Sequence, residues 1–181
     1  MKGIVFTTFI EMVEQKFSLA IVDQIINDSD LPSGGSYTSV GTYDHGEILK
    51  LVVQLSERTG IPVSDLVRVF GEYLFGQLIE LYPQFVQTNP NLFDFLSKVD
   101  SYIHVEVRKL YPDAELPGFE YDTSDSEKFV MIYRSSRPFA DLAEGLILGA
   151  VGHYGEQIDI LREALLDSSG TAARFTLTKR S

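Results

Sequence analysis

The stretch "VMIYRSSRPF", residues 130–139, sets a phenol, a hydroxyl and a guanidinium at alternate positions, Tyr133, Ser135 and Arg137. On an extended chain successive side chains point to opposite faces, so these three share a face with Phe129 and Met131. Adjacent members stand roughly 7 Å apart and the outer pair about 13 Å. A face apolar at one end and hydrogen-bonding at the other suits a ligand with an apolar body and acidic edges. The imidazoles are His45, His104 and His153, and none has another His, or a Cys, at metal-pair spacing, so an ordinary zinc site is poorly supported. No serine elbow and no glycine loop of Walker or dinucleotide form is present. At 100° per residue His104 falls at the margin of the apolar stripe of its predicted helix, near Phe93 and Tyr111. A ring there can lean into a pocket, but on residue chemistry alone a hydrogen-bonded boundary histidine is the ordinary reading. His45, beside Asp44, reads as an exposed helix-start residue, and His153 sits late in a helix, where the dipole favours an imidazolium.

The elements that must position these residues are helical for the first two-thirds of the chain. Residues 3–17 place Val5, Phe9, Met12 and Val13 on one face, and 18–28 continue as a short helix. After the turn cluster "DSDLPSGGS" (28–36), a helix within 42–60 begins at a capping Asp or Thr and ends at Gly60. Another, within 61–83, opens with Pro62 and a Ser64 cap and ends before Pro83. Residues 89–112 predict one long helix with a continuous stripe of Leu92, Phe95, Leu96, Val99, Ile103, Val107 and Leu110. Beyond Pro112 the period changes to two, predicting a hairpin around "TSDSEK" (123–128), a helix over 139–156, and a second hairpin turning at "DSSG" (167–170). The order predicts an α+β fold with a small antiparallel sheet of about four strands. Gly145, Gly149 and Gly152 share one face of the 139–156 helix, and each costs about 1 kcal/mol relative to alanine, so something must approach that backbone closely. Tight helix–strand packing is the ordinary explanation.

The chain of 181 residues reads as one domain, in one or two lobes, with 44% hydrophobic and 23% charged residues. A net charge of −11 opposes nucleic acid and anionic membrane surfaces and favours a soluble partner with a basic patch. The absence of cysteine excludes disulfides, thiolate metal sites and cysteine catalysis. The start "MKGIVFTTFIEMVEQKF" lacks signal-peptide form, because Glu11 cuts its apolar run and no small-residue cleavage site follows. No stretch reaches the ~18 apolar residues of a membrane span, and a cytoplasmic location is the default expectation.

Taken together, "MKG" at the start, "HVEVRKLYP" with its histidine on a long helix, the following Pro117, and "YRSSR" as a Tyr-x-Ser-x-Arg motif resemble the haem nitric oxide/oxygen binding (H-NOX) domains. These are relatives of the haem domain of soluble guanylate cyclase. The resemblance runs the full length, and its most specific part is the Tyr-x-Ser-x-Arg motif. It implies one domain over 1–181, with a helical distal lobe (1–60), a proximal lobe carrying the sheet (61–181), and haem b between them. It implies that Tyr133, Ser135 and Arg137 hold the propionates, that His104 ligates the iron, and that Pro117 presses on the porphyrin. Val5, Phe9, Leu74, Leu142 and Leu146 are implied as the distal wall.

The resemblance also bears on ligand choice. Family members that hold oxygen carry a distal tyrosine five residues after the motif arginine, where this chain has Leu142. Supporting polar positions are here Phe9 and Leu74. The implied pocket is dry and favours NO, with CO as a second ligand. The implied mechanism is a switch, with no enzymatic step: NO weakens the bond to His104 and the lobes shift. The signal then passes to a partner, typically a histidine kinase or a cyclic-di-GMP enzyme. Two rival readings are an oxygen sensor or haem enzyme of the same fold, with Tyr73 or Tyr102 as donor, and a haem-free scaffold.

Overall fold

The computed structural model describes residues 1–165 and 169–180 of the chain. Its helix boundaries follow local chemistry. Helices α1 (Gly3–Lys16) and α2 (Leu19–Asp28) are split at Ser18, whose hydroxyl accepts the Ile21 N–H at 3.2 Å. Helix α3 (His45–Thr59) is capped by the Asp44 carboxylate, which accepts the Gly46 N–H at 2.6 Å, and it stops at Gly60 with φ +71°. Helix α4 (Val63–Leu81) runs between Pro62 and Pro83. Ser64, expected as its cap, lies instead inside the first turn. Pro62 takes the capping position, because its fixed φ and missing N–H let the helix start directly behind it.

The long helix expected over 89–112 is a chain of shorter pieces. After α5 (Gln84–Gln87) and α6 (Leu92–Ser97), a π-helical turn over Val99–Ile103 leads into α7 (His104–Leu110). The Ile103 N–H bonds the Lys98 carbonyl at 3.1 Å and the His104 N–H bonds that of Val99, each five residues back. Such a turn takes up one extra residue, which is about 100° of helix rotation. Without it His104 would stand about 80° away from the face of Leu96. With it Leu96 and His104 are both buried, while Val99, Ile103 and Val107 are half-buried and Leu110 is exposed. The expected stripe therefore stops at Leu96, and His104 lies on the inner face, away from its margin.

The C-terminal part is a four-stranded antiparallel sheet in the order β1-β2-β4-β3, from β1 (Gly118–Asp125), β2 (Lys128–Arg134), β3 (Ile158–Ala164) and β4 (Ala172–Lys179). Of the expected "DSSG" turn, Asp167 and Ser168 lie outside the described residues. Register pairs Phe129 with Leu177, Met131 with Phe175 and Tyr133 with Ala173, and all six are buried on one face. Helix α8 (Ala140–Tyr154) covers that face with Ala140, Ala143, Ile147 and Ala150. Its other side meets α4. A Cβ on Gly71 would lie 2.5 Å from the Leu142 carbonyl oxygen, one on Gly149 2.7 Å from Phe75 Cβ, and one on Gly145 would strike the Arg68 carbonyl. The close approach is thus helix on helix, in place of helix on strand, and Gly152 takes no part, since a Cβ there meets nothing within 4 Å. Two apolar cores result: one joins α1–α4 with Phe139, Leu142 and Leu146 packed against it, and the other lies under the sheet.

Candidate cofactor site

His104, at the start of α7, is 9% exposed. Its Nδ1 lies 3.2 Å from Asp100 Oδ1, one helical turn back, and its ring centroid is 5.7 Å from that of Phe119. Burial is the main influence on its titration and holds the imidazole below the ordinary histidine range. Asp100 and the Pro117 carbonyl oppose this by favouring the charged ring. A neutral imidazole is the form that ligates a metal, and a carboxylate on Nδ1 fixes Nε2 as the free donor. Among the described residues no three His, Asp or Glu side chains gather as a metal cluster, and His104 stands apart from any such group.

The motif residues come together, but by a turn. Strand β2 ends at Arg134, and the chain folds over 135–139 towards α8. The Ser135 N–H bonds the Thr171 carbonyl at 2.8 Å, and the Ser135 hydroxyl accepts the Arg137 N–H at 3.1 Å. The Tyr133 hydroxyl reaches the Arg137 carbonyl at 3.5 Å, so the extended spacing expected across the three residues is not kept. Tyr133 is buried, and burial raises its phenol pKa. Its ring stands 5.8 Å from Phe119, so an aromatic row runs from His104 through Phe119 to Tyr133. Arg137 Nη2 holds Glu115 Oε2 at 2.6 Å, beside a cleft of about 380 Å³ that Tyr43, Asp44 and His45 also line.

Phe9 and Leu74 are buried, and Val5, Leu142 and Leu146 pack half-buried against the same core, where Phe9 meets Phe70 edge-on at 5.2 Å. None of these five carries a hydrogen-bonding side chain. The Tyr73 hydroxyl is buried beside Gln15 and Glu11 of α1, with no hydrogen bond of good geometry among the described residues. Tyr102 lies on the π turn that leads to His104, 6.3 Å from Phe85. His45 opens α3 with its ring 6.2 Å from Phe139, and His153 is exposed at the end of α8. Sequence reasoning missed Asp100, Glu115 and Phe119. Asp100 was findable from its i, i+4 spacing to His104 and Phe119 from the hairpin register opposite Tyr133, whereas nothing local marks Glu115.

The sequence model of the Haem-NO-binding family matches residues 2–162. The chain superposes on the Fe(II) unliganded H-NOX protein from K. algicida at 39% identity, covering 100% of this chain and 97% of that one with a TM-score of 0.94. It superposes on the IWP-051-bound H-NOX from Shewanella woodyi in the Fe(II)CO state at 45% identity, covering 99% and 95%, with a TM-score of 0.84. An H-NOX protein from S. oneidensis in the Fe(II)NO state shares the fold at 24% identity, with full coverage of both chains and a TM-score of 0.91. No curated protein sequence matches. A family match over nearly the whole chain, with solved structures at 39% and 45% identity, shows that the chain belongs to the Haem-NO-binding (H-NOX) family of haem-based gas sensors.

Proposed function

We propose that this chain is a cytoplasmic nitric oxide sensor built on haem b, a switch with no catalytic step. When bound, haem would supply a ferrous iron able to bind a diatomic gas. His104 would hold that iron through Nε2, since Asp100 occupies Nδ1. Arg137 already grips a carboxylate, that of Glu115, and would exchange it for a propionate, with Tyr133 and Ser135 beside it. Pro117, next to the His104 ring, would bear on the porphyrin, and Val5, Phe9, Leu74, Leu142 and Leu146 would line the gas side.

What supports the reading is a buried His104 with Asp100 at its Nδ1, together with apolar side chains at Val5, Phe9, Leu74, Leu142 and Leu146, the proposed gas side. Holding oxygen takes a hydrogen-bond donor on that side, and holding NO does not. A donor to a charged acceptor is worth about 1.5–3 kcal/mol, roughly tenfold to a hundredfold in affinity. Tyr73 packs against the same core with its hydroxyl beside α1, and Tyr102 lies by Phe85, so these two phenols are the donors an oxygen-holding variant would draw on. The lobes that shift are 1–60 and 61–181, with α4 and α8 crossing between the two cores. A sharp switch needs NO to favour one arrangement by a few kcal/mol. The partner is a signalling protein such as a histidine kinase or a cyclic-di-GMP enzyme.

The test is a titration of the anaerobically reduced protein with NO, CO and oxygen. NO and CO are each expected to shift the Soret band, and air to give oxidation without a reversible new band. A reversible band in air overturns NO selectivity, and a chain that takes up no haem overturns the haem reading.

A further inference from the structure

The segment 111–117 follows the His104 helix and leads to Pro117, and a cation from the other end of the chain grips it. Lys2 Nζ lies 2.6 Å from Asp113 Oδ1, 2.8 Å from Thr42 Oγ1, and 5.2 Å above the Tyr111 ring. The Thr42 hydroxyl donates to the other Asp113 oxygen at 3.1 Å. Lys2 is itself tied down, because its backbone pairs with Thr42 in an antiparallel bridge and its side chain is 15% exposed. The stem is therefore packed, and the ammonium meets three groups at once, although Asp113 itself is largely exposed. The Lys2 hydrogen bond is the main cause of an Asp113 carboxyl held below the ordinary aspartate range. Tyr111 and Asp113 lie directly behind α7, whereas Lys2 and Thr42 belong to the N-terminal lobe. The contact joins the parts that the switch must move.

We propose that Lys2 is a positioning residue for the proximal helix: it fixes the C-terminal end of α7 against the N-terminal lobe, and its contacts with Tyr111 and Asp113 must open when the lobes move. Its effect on His104 rests on the haem reading above. The latch itself is a property of the bare chain and is tested without haem.

The experiment is backbone hydrogen exchange by mass spectrometry on the full chain, haem-free and haem-loaded, for the parent, Lys2→Met, Lys2→Arg and Asp113→Asn. Methionine keeps an unbranched apolar stem and the backbone bridge while removing the charge. In the haem-free protein, peptides over 104–117 should exchange about two- to fivefold faster in Lys2→Met and Asp113→Asn, the size expected of one partly exposed ion pair. Lys2→Arg should return them to the parent rate, and α8 should not change in any variant. In the haem-loaded protein treated with NO, Lys2→Met should move the Soret band further towards the form without a histidine axial ligand, and Lys2→Arg should not. Unchanged exchange over 104–117 overturns the latch, as does a uniform rise across the chain. Faster local exchange with an unchanged NO spectrum overturns the role of Lys2 in positioning His104. A chain that takes up no haem fails the haem reading, and the exchange rates of the bare protein then decide the latch by themselves.

Discussion

At the residue scale, His104 gains its character from burial and Asp100 together. Burial keeps the ring neutral, and the carboxylate on Nδ1 decides which nitrogen is left free. His104→Gly should purify without haem unless imidazole is supplied, because His104 is the one buried histidine among the described residues. Asp100→Ala should keep haem but release it faster to apomyoglobin. Losing such an orienting partner typically costs roughly 10–100-fold in metal affinity, and a 3.2 Å contact to a partly exposed aspartate belongs at about tenfold. A loss rate equal to the parent's would show that Asp100 does not orient the ring. The chemical types at Tyr133, Ser135 and Arg137 were legible in the sequence, but their geometry was not. An extended strand and a Ser-stabilised turn read alike until Thr171, far along the chain, takes the Ser135 N–H.

At the scale of elements, periodicity placed the helices and hairpins well and failed where the period itself changes. The π turn over Val99–Ile103 is invisible to an α-helical wheel, because its residues are ordinary helix formers and its extra residue appears as a drift in phase. The glycines of α8 were legible as a demand for close approach, yet the partner, α4, is distant in sequence and lay beyond local reading. Their unequal surroundings give a paired expectation. Gly145→Ala would drive a methyl group into the Arg68 carbonyl, and forced overpacking typically costs about 1–3 kcal/mol. Gly152→Ala meets open space on an exposed helical position and should gain about 0.5–1 kcal/mol from helix propensity. For a chain of this size each kcal/mol is roughly 2–4 °C, so thermal unfolding of both variants should show melting temperatures moving in opposite directions. A Gly145→Ala protein as stable as the parent would mean that α4 and α8 separate easily.

At the scale of the whole molecule, 15 basic against 26 acidic residues leave a charge of −11. Several of the cations are already paired with carboxylates of the same chain: Lys2 with Asp113, Arg68 with Asp65, Arg137 with Glu115, and Arg162 with both Asp141 and Glu144. The surplus carboxylates set the outward field, and a partner with a basic face would be met first through that field. Oppositely charged surfaces raise encounter rates by about 10–10³-fold at low salt, an advantage lost once the screening length falls to a few ångström. Association with a signalling partner bearing a basic face should accordingly slow by roughly tenfold or more between low and near-molar salt. Dissociation should change less, since it depends on packed contacts at the interface. Stopped-flow association at several salt concentrations separates the two rates. An association rate indifferent to salt would remove the acidic surface from partner choice and leave recognition to apolar contact.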